Sequence, residues 1–465
     1  MTNALPLPCT PMRDCAPRDH DPRATLIATT IASSLAFVVG SIINVALPQM
    51  QGAFDAGPAG AQWIVNAYLL PLGAFVLLGG ALGDHYGRKL VFQGGLLLFA
   101  ASCLLAAVAW SFPVLLIARV LEGVGAALIA PTSLAILAEA FSGPARGRAV
   151  GTWAGAGAAA GALAPVLGGW IVDVAGWRWA FVTVLPIAAV AFVLAQSGIR
   201  ESHGAEGDRA PLDLAGAALV SVGLLAAIWG LVALPERGMS PAVLSALAGG
   251  AAMILAFVAV EHGKSGRAMV PLTLFRDAAF SGLTLFTFFL YAALGGLMLL
   301  LPYMLISDLG YGASAAGLAL LPLPVLIGGL SRFTGGALVD RFGTRAMLTV
   351  GALLVAAGFG WLTQLPGTGV RYATDLLPGL LALALGMALA VAPLTTAVLS
   401  SAGEDRAGVA SGVNNAISRI GGLVATALLG LVLAGDLVAG FALAAWVGAA
   451  LAMLSAGIAW TTVHK

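Results

Sequence analysis

The chain has 465 residues, of which 60% are hydrophobic and 9% charged, and its formal net charge is +1. Soluble domains carry ~25% charged residues, so this much apolar surface excludes a water-soluble globule and requires lipid as the solvent. The near-zero charge, with no basic arm or block of like charges, excludes a nucleic-acid partner.

In chain order, residues 1–24 read as a polar tail mixing Arg13, Arg18 and Arg23 with Asp14, Asp19 and Asp21, on the cytoplasmic side. The apolar run from Leu26 to Leu47 is too long for a cleavable signal and reads as a retained first helix. Stretches of about 20 apolar residues, enough to cross a bilayer, follow at Ala61–Leu82, Leu90–Ala109, Pro113–Leu137, Gly151–Ile171 and Trp179–Ile199. Further ones lie at Leu212–Leu234, Pro241–Val260, Ala279–Leu305, Ala315–Val339, Met347–Leu365, Asp375–Leu399, Gly408–Leu433 and Val438–Trp460. The reading is an all-α polytopic protein of fourteen transmembrane helices, since lipid offers no partner to an open sheet edge. Cys9, Cys15 and Cys103 have no metal-ligand spacing, and no metal site is expected.

Charge sets the orientation. With the N-terminus inside, the cytoplasmic segments hold Arg13, Arg18, Arg23, Arg88, Lys89, Arg146, Arg148, Arg200, Arg209, Lys264, Arg267, Arg276, Arg341, Arg345, Arg406 and Lys465. The opposite loops hold Arg178, Arg237 and Arg371, and sixteen against three is a strong positive-inside bias. Both termini are expected in the cytoplasm and the chain in the inner, or plasma, membrane.

The sequence repeats itself. Gly80–Lys89 (GALGDHYGRK) recurs as Gly336–Arg345 (GALVDRFGTR), and Ala130–Ala135 (APTSLA) is echoed by Ala392–Ala397 (APLTTA). The matches pair helix two with ten and helix four with twelve. They predict two pseudo-symmetric six-helix bundles, 25–200 and 278–465, separated by a segment at 201–277 that contains helices seven and eight and matches neither. Parallel repeats with substrate held at their interface are a transporter design. In the repeated turn, Gly80 is expected to permit close helix approach and Gly87 a tight reversal, with Gly336 and Gly343 as counterparts. Asp84, Arg88 and Lys89, and likewise Asp340, Arg341 and Arg345, form a charge cluster. Asp84 is expected to face the positive N-terminal dipole of a neighbouring helix, and the cluster to close one face of the protein.

At these residues the chain resembles the major facilitator superfamily, and within it the fourteen-helix drug:proton antiporter branch. The resemblance runs from about Ile43 to the last helix. It is carried by Asn44–Pro48, Gln62–Tyr68, Gly80–Lys89, Arg119–Gly125, Ala164–Trp170, Trp177–Trp179, Asp375–Pro378 and Gly408–Asn415. Short and apolar when taken singly, these strings are specific in this order and on these helices. The resemblance implies alternating access without a bound cofactor, a proton exchanged for an outgoing small amphiphile or drug, and a protein that is no enzyme. It also implies that the proline- and glycine-rich fifth helix, with Gly161, Pro165, Gly168 and Gly169, marks exporters. The residue types there are compatible. Gly151, Gly155, Gly157, Gly161, Gly168 and Gly169 would let that helix pack closely at the seam between halves, and Pro165 would bend it. Ala164 stands where the branch usually has glycine.

Arg119, Glu122, Arg332 and Arg419 fall well inside the spans, where each costs roughly 2.5–3.5 kcal/mol if unpaired at the centre. Glu122 lies one turn from Arg119 on the same helix face. Burial disfavours a charged carboxylate and a nearby guanidinium favours it, so Glu122 reads as a proton carrier that responds to rocking of the halves. The other open reading has Glu122 staying protonated in place of the glutamine that the resemblance leads one to expect. The branch also usually has an acidic residue in helix one where this chain has Val39, so that either Glu122 bears coupling alone or coupling differs. Arg332 reads as snorkelling to the membrane surface. Arg419 is a candidate for the interface between halves, joined by Asn44, Asn66, Tyr68, Asn414 and Asn415 as substrate-cavity candidates. The expected partners are a small-molecule substrate, protons and the bilayer, with the protein acting as a monomer. A transporter of one metabolite or a symporter is the alternative. A polytopic membrane enzyme is disfavoured because His20, His85, His203, His262 and His464 all fall in loops or tails.

Overall fold

The computed structural model describes residues 21–203, 213–264, 270, 272–334, 337–365, 369–402, 407–429 and 437–463. Among them the secondary structure is helical throughout. The first six helices are α1 (Pro22–Ala53), α2 (Pro58–Tyr86), α3 (Arg88–Ala107), α4 (Phe112–Ala140), α5 (Gly143–Ala175) and α6 (Trp177–Val182 continued by Val184–Gly198). The break in α6 at Thr183 follows from Pro186, whose ring excludes a normal bond to the carbonyl four residues earlier. Next come α7 (Leu214–Arg237) and α8 (Pro241–Gly263).

After a short 3₁₀ turn at Leu272–Arg276 follow α9 (Ala278–Ser307) and α10, built from Ala313–Leu320, Pro322–Thr334 and Ala337–Phe342. The last are α11 (Thr344–Leu362), α12 (Leu377–Ala402, entered through a π turn at Tyr372–Leu376), α13 (Ala407–Leu428) and α14 (Leu437–Thr462). Thirteen spans among the described residues are long and apolar enough to cross a membrane. The helix outside that set is α13, which carries Asn414, Asn415 and Arg419. Most helices run a turn or so past the expected apolar runs, and α5 starts eight residues earlier than Gly151, at Gly143. Polar end turns complete the backbone bonding of a helix without adding to its apolar signal.

The sequence repeat is a repeat of packing. In the first half α4 packs on α2 and α3, α1 on α5 and α6, and α3 on α6. Eight helices later α12 packs on α10 and α11, α9 on α13 and α14, and α11 on α14. The α2–α3 and α10–α11 turns both pivot on a positive-φ glycine, Gly87 at 116° and Gly343 at 80°, as expected. Close approach, however, belongs to other glycines than Gly80. A Cβ on Gly80 would make ordinary contact with Pro131, whereas one on Gly79 would run into the Ala127 carbonyl and one on Gly83 would meet Thr132 at 2.8 Å. The α3–α4 crossing at Gly95 and Gly125 has its counterpart in α11–α12 at Gly351 and Gly386, where each added Cβ would press on facing backbone.

Two equivalent crossings form the seam between halves: α5 on α10 and α13 on α2, with α1 against α9 between them. Helix α7 lies along α2 and α13, where Ile228 and Val232 form an apolar cluster with Leu70, Leu423 and Ala427. Helix α8 packs on α7, with Gly223 and Gly250 at their closest approach.

At the start of α7, Asp213 accepts from the Gly216 N–H at 2.7 Å and pairs with the Lys264 ammonium at the end of α8. Burial alone would raise the carboxyl, but hydrogen bonds from Glu261, Lys264 and the Gly216 N–H outweigh it and bring Asp213 down to about 2. A depressed carboxyl contributes stability above its unfolded value of ~3.9 and loses it only as the pH falls toward 2. Asp213→Ala is therefore expected to lower the apparent Tm at neutral pH, by about 1–2 kcal/mol in stability. Thermal unfolding in detergent checks this.

Candidate functional site

The site begins with one ion pair. Arg119 and Glu122 sit one turn apart on α4, 1% and 0% exposed, and their side chains are joined by a short salt bridge. Helix α2 supplies the remaining contacts of the arginine. Its Nε donates to the Ile64 carbonyl at 3.1 Å, and its guanidinium lies 4.5 Å over the Tyr68 ring. The Tyr68 hydroxyl donates to the Ala36 carbonyl on α1 at 2.8 Å, so the pair is anchored to three helices. The second carboxylate oxygen of Glu122, Oε1, accepts no conventional hydrogen bond and has the buried Cys103 thiol of α3 beside it. Burial favours the neutral acid and the adjacent guanidinium favours the carboxylate, so two opposing influences meet on this side chain.

Arg119, unlike Glu122, reaches a cavity. A space of about 220 Å³ opens between the two halves, lined by Ser33, Asn44 and Tyr68 from the first half and by Met298, Arg419 and Thr426 from the second, with Arg119 in its wall. A second space of about 200 Å³ adjoins it, sharing Ser41, Asn44 and Met298 and reaching Gly161, Pro165 and Ile327. Glu122 is thus one side chain behind the wall, inside the first bundle, and does not line the cavity itself.

Asn44, Tyr68 and Arg419 line this space, and the other three candidates go elsewhere. Asn66 is fully buried, and its Oδ1 accepts from the Thr426 hydroxyl at 2.6 Å, a bond across the seam between α2 and α13. Asn414 accepts from Thr287 of α9 at 2.6 Å and so braces the second bundle internally. Asn415 is exposed. They differ because the helix turns 100° per residue, so adjacent polar positions cannot share a face. Val39 is buried in the hydrophobic core. The side chain of Arg332 lies outside the described residues.

The seam is bonded at one end. There Tyr303 of α9 donates to Gln51 of α1 at 2.7 Å, and Asp173 at the end of α5 caps the start of α10. Asp173 accepts from the Ala313 N–H and the Ser314 N–H, each at 2.9 Å, and from the Ser314 hydroxyl. Gly169 makes this approach possible, since a Cβ there would collide with the Ala313 backbone, and Gly317 lies equally close to the Pro165 carbonyl. The other glycines of α5 do not serve the seam as expected. Gly168 faces Ile42 of α1, Gly161 and Gly157 face Phe37, and Gly151 and Gly155 have open space around them.

The opposite end carries the first charged turn. Asp84 pairs with Arg88 at 2.8 Å, and Arg88 reaches Glu139 of α4 at 2.9 Å. The helix dipole expected to attract Asp84 is taken instead by Glu201, which accepts from the Lys89 and Leu90 N–H groups at the start of α3. The Lys89 ammonium donates to the Gln196 carbonyl at 2.8 Å. Every described partner of this cluster belongs to the first half or to the residues just after it, because Gln196 and Glu201 fold back from α6 and the segment that follows. The cluster therefore ties one bundle together and does not close the seam here. In the repeat, Arg345 stacks 4.0 Å from Trp460 and Arg341 lies 5.3 Å from Phe342. Gly336 and the Asp340 side chain lie outside the described residues.

Asp173, Glu201, Cys103 and Thr426 were not expected to matter. The only signal for Asp173 is an acid at the end of an apolar helix, and Glu201 lies beyond the last apolar residue of α6.

Comparison with known proteins accords with this geometry. The family model of the Major Facilitator Superfamily matches residues 29–426 and 285–464. The chain is 34% identical over 418 residues to the "Uncharacterized MFS-type transporter EfpA" of Mycobacterium tuberculosis, covering 88% of this chain and 77% of that one. It is 32% identical over 432 residues to "Puromycin resistance protein pur8" of Streptomyces alboniger, covering 91% and 85%. It is 30% identical over 432 residues to "Drug efflux pump JefA" of M. tuberculosis, covering 92% and 82%. Among solved structures, an auto-inhibited POT family peptide transporter has a similar fold (TM-score 0.70, 16% identity, 95% of this chain and 98% of that chain). So does the xylose transporter XylE from E. coli (TM-score 0.64, 16% identity, 96% and 100%).

Proposed function

Because the chain belongs to the major facilitator superfamily, a family of multi-pass membrane transporters and not of enzymes, we propose that it is a proton-driven exporter of small amphiphilic molecules. In this reading the halves are residues 25–200 and 278–465, both termini lie in the cytoplasm, the membrane is the inner, or plasma, membrane, and a monomer suffices. The observation that carries it is the Arg119–Glu122 pair, fully buried yet one side chain from the cavity between the halves. The names of the relatives, two of them efflux or resistance proteins, support the outward direction.

The proposed cycle uses the seam as its gate. With the Asp173–Ser314 and Gln51–Tyr303 contacts made at one end, the cavity is shut toward the outside and accessible from the arginine-rich, cytoplasmic side. Rocking of the halves breaks these contacts and exposes the cavity outward, where the substrate leaves and Glu122 takes up a proton. Return to the first arrangement restores the pair and discharges the proton inside. The Asp84–Arg88–Glu139 cluster holds α2, α3 and α4 as one rigid body during this motion.

The test is transport into everted membrane vesicles acidified inside, across a chemically diverse panel of compounds. Accumulation that collapses on adding a protonophore is the expected result. Accumulation insensitive to the pH gradient, or movement only in the uptake direction, would overturn the reading in favour of another energy source or a symporter.

A further inference from the structure

The cavity walls hold two guanidiniums, Arg119 and Arg419, and no carboxylate. Arg119 already has a counter-charge in Glu122. Arg419 has none: among the described residues no acid pairs with it, its Nε is buried without a hydrogen-bond partner, and its ionisable neighbour is the Tyr68 phenol. Isolated charges at membrane depth persist where they serve a ligand or an ion path. A guanidinium is a planar fork that matches the two oxygens of a carboxylate or sulfonate.

The rest of the lining is apolar or neutral. Phe37, Leu72, Met298 and Leu299 surround the arginines, and Ser33 and Asn44 add only uncharged polar atoms. The adjoining space toward Pro165 and Ile327 is largely apolar as well. A cation brought here would meet a positive field without a compensating acid, whereas an organic anion would supply the charge that the fold leaves out.

We propose that the substrates are amphiphilic organic monoanions, with a carboxylate or sulfonate head bound by Arg419 and an apolar body along α5, α9 and α10. This rests on the exporter reading for its cavity, but it concerns binding alone and can be tested without a gradient.

The experiment measures binding of three matched fluorescent probes to the full chain in nanodiscs of zwitterionic lipid: dansylglycine, dansylglycinamide and dansylcadaverine. The carboxylate is expected to bind about tenfold more tightly than the amide, and the amine most weakly. Arg419→Gln should erase the preference for the carboxylate, while leaving the amide within about threefold of wild type, and Arg419→Lys should restore part of it. The second variant keeps the test decisive if R419Q fails to fold. Equal or tighter binding of the amine by wild type, or an equal loss for all three probes in R419Q, would overturn the proposal. Loss of gradient-driven transport with the carboxylate preference intact would instead count against proton coupling and leave this inference standing.

Discussion

Glu122→Gln is expected to reduce pH-gradient-driven efflux by roughly tenfold or more while leaving the protein folded. Glutamine is nearly the same shape and still offers Arg119 a carbonyl acceptor, so the α2–α4 packing around Ile64 and Tyr68 survives. It cannot exchange a proton. Glu122→Ala should behave differently, because it removes both the counter-charge and the acceptor that Arg119 has here, a loss that typically costs about 3–5 kcal/mol. That variant is expected to lower expression and apparent Tm. A comparison of efflux, size-exclusion profile and thermal stability for the two substitutions separates proton chemistry from structure. Full gradient-driven efflux by the glutamine variant would remove Glu122 from the coupling step.

The second large effect is expected from Gly169→Leu. At this position α5 lies directly on the Ala313–Ser314 backbone, and a Cβ has no room. The leucine faces main chain on the other side of the seam, so a change of rotamer in a neighbouring side chain cannot relieve it. The contacts of Asp173 with the start of α10 then cannot form. The variant should fold, since neither bundle uses this contact internally, yet transport should be essentially lost. The outer mouth of the cavity should become reactive: with Cys9, Cys15 and Cys103 replaced by serine, a cysteine at Ser314 should label with a membrane-impermeant thiol reagent in the G169L background and much less in its absence. Normal transport by G169L would show that closure at Asp173 is not part of the cycle.

The residues that could be read in advance are those whose role is set by local chemistry or by repetition. Gly87 and Gly343 had to reverse the chain at equivalent turns, and both take positive φ. Arg119 and Glu122 had to find each other because they share a helix face in lipid. The misreadings arose where the answer depends on which way a helix is rotated in the finished bundle. Asn66, Asn414 and Asn415 are all polar residues on membrane helices. Whether such a residue faces a cavity, a partner helix or the outside depends on packing against α9 and α13, which composition does not encode.

The same reason put Gly80 in place of Gly79 at the α2–α4 contact. A shift of one residue changes the face by 100°, and both glycines satisfy the pattern. Glu201 was missed for a different reason. It caps α3 across more than a hundred residues of sequence, and nothing near it signals the helix end it will meet. The assignment of the fifth-helix glycines to the seam held for Gly169 and failed for the others in the same manner, since Gly168 and Gly169 are neighbours that serve opposite partners.

Helix α7 has a consequence for how such a molecule can move. It lies over α2 and α13, one of two crossings related by the internal symmetry, while α5 and α10 make the other with no such cover among the described residues. The covering contact, among Leu70, Ile228, Val232 and Leu423, is greasy and without directional bonds, so it can slip by an ångström or two at little cost. The two bundles are therefore symmetric in their parts and lopsided in their setting: among the described residues one flank is sheathed by a greasy contact, and the other, beside the Pro165–Ile327 end of the chamber, is not.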